Sequence, residues 1–205
     1  MTPAEARVSA LAVLCPANQV TPRPLTLAEI DDVVTAFGAA AQRAQAAGFD
    51  ALEVPFSHGY LIHQFLSPHT NWRTDEYGGA LENRLRFGCA VLTAVRAAVG
   101  SEFPLVVRLN ARDYIEGGLE LADALVIARE LATWGVVDGL GITSGTMCES
   151  VPYCMYPTGT PKANLLPMAA QIRTASGCPC LWLGASAPRR WRTLRWRTGR
   201  SISSG

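Results

Sequence analysis

The 205-residue chain has little of what marks a membrane, metal or disulfide-framework protein. Pro, Gly or a charge interrupts every apolar stretch before it is long enough to span a bilayer. Charged residues make up only 17% and hydrophobic residues 49%, which excludes a disordered chain and leaves a globular one with a single good core. There are only three histidines, and neither His63 nor His69 has a convincing second ligand, so both are read as structural or solvated and no metal is expected. The six cysteines, Cys15, Cys89, Cys148, Cys154, Cys178 and Cys180, match no zinc template and form no tight cluster for iron and sulfur. They are expected to be reduced, mostly buried thiols. Glu5 and Arg7 precede the short apolar patch near the N-terminus, a poor signal peptide, so the cytoplasm is the expected location.

Charge is scarce overall but unevenly placed. Six of the eighteen basic residues are Arg189, Arg190, Arg192, Arg195, Arg197 and Arg200. Residues 1–188 therefore hold twelve basic and seventeen acidic residues, a net charge of −5, ahead of a basic tail.

The body alternates helix and strand. Thr26 and Glu29 form a capping box, and apolar residues recur at Leu27, Ile30, Val33, Val34, Phe37, Ala41 and Ala44 up to Gly48. A short strand through Leu52 and Val54 follows, then a long loop, then a helix over Leu81 to Val99 closed by Gly100. Residues 104–109 predict a strand, Leu119 to Trp134 a third helix and residues 136–143 another strand. Leu165 to Thr174 and Cys178 to Leu183 complete the pattern as helix and strand. Four such alternations predict right-handed βα units on a parallel sheet. A complete (β/α)₈ barrel needs about 250 residues, so the expected fold is an α/β partial barrel of about four units. Chemistry in that plan sits at the C-terminal strand ends, where His58, Tyr60, Arg108 and Thr143–Ser144 fall.

The run from His58 to Phe87, HGYLIHQFLSPHTNWRTDEYGGALENRLRF, is a polar-aromatic insertion too long for an ordinary connection. Its wording resembles the old yellow enzyme family of flavin-dependent ene-reductases and NADH:flavin oxidoreductases, over roughly residues 20–178. That resemblance implies FMN as cofactor, NAD(P)H as reductant and a small-molecule substrate with an activated C=C bond. It implies that His58 hydrogen-bonds the substrate carbonyl and that Tyr60 protonates the substrate α-carbon. A phenol suits the second task because it releases its proton only to a developing enolate. Arg108 resembles the arginine facing the flavin pyrimidine edge, where a fixed guanidinium stabilises reduced flavin. The rest of the loop, Asn71 and Arg73 to Glu76 among it, is expected to brace the barrel top. The loop after Thr143, rich in Gly, Pro and Tyr, is expected to line a substrate entrance.

The chain departs from the family at Pro55, which stands where a first polar donor is usual. Losing one such donor costs roughly 3 kcal/mol in the transition state. Segments that in the family precede and follow these units have no counterpart here, so impaired catalysis is expected, and the alternative is a non-catalytic remnant holding no flavin. An open barrel edge would favour self-association. Residues 1–180 are thus read as a partial FMN-oxidoreductase domain. Residues 181–205 hold three Trp and six Arg without apolar period. This composition resembles GC-rich DNA read out of frame, so a disordered, frame-shifted tail is expected. No recognisable nucleic-acid module accompanies the tail, and no nucleic-acid or membrane partner is expected.

Overall fold

The computed structural model describes residues 8–10, 12, 14, 16, 19–161, 164–182, 193–195 and 201–203. Two short parallel strands, β1 (Val8–Ser9) and β2 (Arg23–Pro24), lead into α1 (Leu27–Ala46). The capping box at the start of α1 forms as the sequence predicts: the Glu29 amide donates to the Thr26 hydroxyl and the Thr26 amide to the Glu29 carboxylate. There follow β3 (Leu52–Phe56), α2 (Leu61–Leu66), α3 (Leu81–Val99), β4 (Leu105–Asn110), α4 (Leu121–Trp134) and β5 (Gly139–Thr143). Then come α5 (Val151–Cys154), α6 (Leu166–Ser176) and β6 (Cys180–Trp182). Strands β7 (Thr193–Arg195) and β8 (Ser201–Ser203) pair with each other, antiparallel. The expected tail is otherwise outside the described residues.

Strands β3, β4, β5 and β6 form one parallel sheet in chain order, which is four adjacent units of the (β/α)₈ plan left open among the described residues. Its register sets two faces. Val54, Val107 and Leu140 lie in one row and Phe56, Leu109 and Ile142 in the next, all buried against the helices. Pro55, Arg108 and Gly141 lie in the row between, on the opposite face.

Helix α3 docks onto β3 through a glycine. A Cβ on Gly88 would stand 2.6 Å from the Phe56 ring, so only hydrogen permits this approach. The ring of Phe56 is fully buried there, with Phe65 and Phe87 completing an aromatic core. Helix α1 packs on α3, and α4 on α6, forming the outer layer.

The long loop is better ordered than a simple connection, because its first part is α2, too short for its period to have been visible in the sequence. Its polar residues do brace the structure. The Asn71 amide donates to the carbonyls of Phe65 and Tyr77, and Arg73 to those of Ala10 and Leu25. The thiols divide: Cys89, Cys154, Cys178 and Cys180 form no disulfide, whereas Cys148 is disulfide-bonded, which corrects the expectation of reduced thiols. Burial pushes the Cys180 thiol up to about 12, so it is chemically quiet.

Candidate active site

Strand β3 ends at Phe56, and the chain turns sharply before α2. His58 has φ 62° and Gly59 φ 81°, two successive left-handed residues. A histidine in that region is uncommon, and neighbouring groups hold it there. The His58 amide donates to Asn110 Oδ1 at 3.4 Å, and its carbonyl accepts from the Met147 amide at 3.1 Å. The ring Nε2 lies 2.8 Å from Thr143 Oγ1. The ends of β4 and β5 and the loop after β5 therefore all grip one residue on the β3 turn.

Burial, the Arg108 guanidinium and the nearby His63 lower the His58 pKa to about 4. The imidazole is neutral at pH 7 and carries a single proton. Tyr60 stands two residues on, at the N-cap of α2, with its amide donating to the Ser57 carbonyl. It is 52% exposed, and its ring meets that of His58 edge to face at 6.3 Å. His58 and Tyr60 thus sit together at the C-terminal end of the sheet.

Arg108 lies on the helix-free face of the sheet. One of its terminal nitrogens is 2.6 Å from Glu53 Oε1, while its Nε is buried without a hydrogen-bond partner among the described residues. An orphaned donor of this kind fits a ligand bearing carbonyl or anionic oxygens, such as the edge of a flavin ring. Gly141 beside it adds no side chain; a Cβ there would approach Glu53 Oε2 to 3.2 Å.

Beneath the turn lies a network that sequence reasoning missed. Asp113 is fully buried and accepts from His63 Nε2, Ser67 Oγ, Asn110 Nδ2 and the Leu119 amide, each at 2.8 Å. The Gly59 amide donates to His63 Nδ1, which ties the network to the site turn. Burial alone would raise the Asp113 carboxyl, but His63 and the donated hydrogen bonds outweigh it and the net shift is downward. The only sequence signal was a polar pair, Asn110 and Asp113, three apart immediately after a strand. His63 is structural, as expected, while His69 joins Glu149 across the surface at 2.9 Å.

The loop after β5 carries an aromatic cluster. Tyr114 stacks on Tyr153 with ring centroids 4.0 Å apart, and the Tyr156 hydroxyl meets Ser144 Oγ at 2.9 Å. No metal-binding cluster occurs among the described residues, and no described helix is long and apolar enough to cross a membrane.

Comparison with known proteins identifies the family and the fold. The chain is 37% identical to an NADH oxidase of Thermoanaerobacter brockii over 163 residues, covering 80% of this chain and 25% of the relative. It superposes on a 2-naphthoyl-CoA reductase with a TM-score of 0.80 at 34% identity, covering 85% of this chain and 26% of the other. An old yellow enzyme homologue from Zymomonas mobilis gives a TM-score of 0.68 at 25% identity, covering 88% and 51%. The chain thus spans about a quarter to a half of the length of these relatives, and its sheet matches part of an old yellow enzyme-type (β/α)₈ barrel. The sequence profile of the NADH:flavin oxidoreductase / NADH oxidase family matches residues 3–144, well over half of the chain, and the chain belongs to that family.

Proposed function

We propose that the chain supplies one side of an FMN site that oxidises NAD(P)H and reduces an activated C=C bond in a small molecule. The observation that carries this is the grouping of neutral His58 with Tyr60 at the strand ends, above an Arg108 whose Nε lacks a partner among the described residues. When bound, FMN supplies two-electron transfer between nicotinamide and substrate. Arg108 would hold the pyrimidine edge of the ring, His58 would donate to the substrate carbonyl, and Tyr60 would deliver a proton to the carbon alpha to it. The aromatic cluster of Tyr114, Tyr153 and Tyr156 would border the substrate entrance.

The described sheet has four strands, and β3 and β6 each have one edge unpaired within it. A second copy, related by a two-fold axis along the barrel, would set β3 of one chain beside β6 of the other and close an eight-stranded ring. A cytoplasmic setting suits the four cysteines that form no disulfide, and the Cys148 bond would stand reduced there.

A second reading, a chain that holds no flavin, is favoured by two features. Pro55 supplies no donor, and Glu53 already neutralises Arg108. Purification with excess FMN, removal of free flavin, and a visible spectrum combined with light scattering separate the two. A yellow dimer is the expected result; a colourless protein in any state of association would overturn the flavin reading.

A further inference from the structure

We propose that Thr143 is a positioning residue of this site: its hydroxyl donates to Nε2 of His58 and so keeps the imidazole proton on Nδ1, the nitrogen left to address a substrate. The substrate's part in this rests on the reading of His58 given above; the tautomer does not.

A neutral imidazole has one donor and one acceptor nitrogen, and its neighbours decide which is which. Nε2 of His58 has Thr143 Oγ1 at 2.8 Å. Thr143 is 2% exposed, and among the described residues its hydroxyl makes no other hydrogen bond. A buried hydroxyl with one partner is better satisfied by donating, since an unmet proton in an apolar setting costs more than an unmet lone pair. Nε2 therefore accepts, and the ring proton resides on Nδ1.

The backbone leaves little room for the alternative. The Thr143 carbonyl accepts from the Ala111 amide at 2.7 Å, which pins the end of β5 to the chain after β4. His58 is pinned at its amide by Asn110 and at its carbonyl by Met147. In the reversed orientation Nε2–H would be spent on Thr143, and His58 could offer a substrate only an acceptor. A carbonyl oxygen, itself an acceptor, would then go unbound. With Pro55 contributing no donor, the direction of one hydroxyl proton decides whether the β3 turn has any imidazole donor to offer.

The chain contains only three histidines, so long-range ¹H–¹⁵N correlation of the full chain labelled with ¹⁵N-histidine resolves each ring, and His58→Gln assigns the one of interest. His58 is expected as the Nδ1–H tautomer at pH 7 in the wild type and in Thr143→Ser. In Thr143→Val it is expected to pass mainly to Nε2–H, the form favoured by free neutral histidine, with the His63 signals unmoved. Should Thr143→Val fail to fold, Thr143→Ala removes the same hydroxyl with the same expectation. An Nε2–H tautomer in the wild type, or Nδ1–H persisting in the variants without the hydroxyl, would overturn the proposal. The measurement needs neither flavin nor substrate. A colourless chain showing Nδ1–H defeats the flavin reading alone, and a yellow one showing Nε2–H defeats this inference alone.

Discussion

On the helix-facing side of the sheet, Val54, Phe56, Val107, Leu109, Leu140 and Ile142 are buried in two complete rows. On the opposite side, the row of Pro55, Arg108 and Gly141 is flanked by Glu53, and the Nε of Arg108 has no hydrogen-bond partner among the described residues. Both faces come from the same strands through strict alternation of side chains. The apolar groups of these rows are packed against the helices, so the stability of the fold resides there. The open face holds an ion pair that is about one-third exposed and a proline, which contribute little to stability and leave room for a ligand. A sheet can therefore keep its fold while its inner face is altered for, or loses, a chemical task.

The largest test of that contrast is on the covered face. Phe56→Ala removes a fully buried ring beneath Gly88 and is expected to cost about 4 kcal/mol. Urea unfolding measures it, and a loss below about 1 kcal/mol would contradict a stability seated on the helix side.

The Asp113 network at the strand ends should fall between the extremes. Asp113→Asn keeps the shape but turns an acceptor-only group into one that must also donate, among groups that themselves donate; about 2–3 kcal/mol is expected. The pH dependence has a definite sign. Both His58 and Asp113 have folded pKa values below their ordinary ones, so the unfolded chain takes up protons first on acidification. Stability linked to His58 is intact above pH 6.5 and is lost as pH falls towards about 4. Stability linked to Asp113 is lost below that, as pH falls from 3.8. Thermal melting across pH 3 to 8 should show both losses, with His58→Gln removing the upper one and Asp113→Asn reducing the lower, to which Glu29 and Asp75 also contribute.

The smallest effect on stability is expected on the open face. Arg108→Ala breaks a partly exposed ion pair with Glu53 and should change stability by no more than about 1 kcal/mol, read from the same urea curves. If the flavin proposal holds, the same substitution abolishes the yellow colour, so stability and binding separate. A large loss of stability would erase the distinction between the faces.

Much of this architecture is local and was legible. The α1 capping box, the α3 span from Leu81 to Val99 and the closing glycines follow from hydrogen-bonding and conformational rules that act within a few residues. The strand positions were legible too, with ends displaced by a residue or a few. In the site, the position of His58 and Tyr60 just after β3 follows from counting βα units, whereas Arg108, expected at a strand end, lies within β4, two residues before Asn110.

What the sequence by itself determined is therefore the periodic part: four βα units and the family wording from His58 to Phe87; the register that sets Arg108 on one face and Phe56 on the other is tertiary. Tertiary structure alone decided what depends on distant segments meeting. Asp113 collects donors from residues 46 and 50 positions away, and His58 meets Thr143 across 85 residues. No local pattern encodes such pairings, because their energy exists only once parallel strands bring their C-terminal ends together. For the same reason the unmet Nε of Arg108 became visible only when its surroundings were in place.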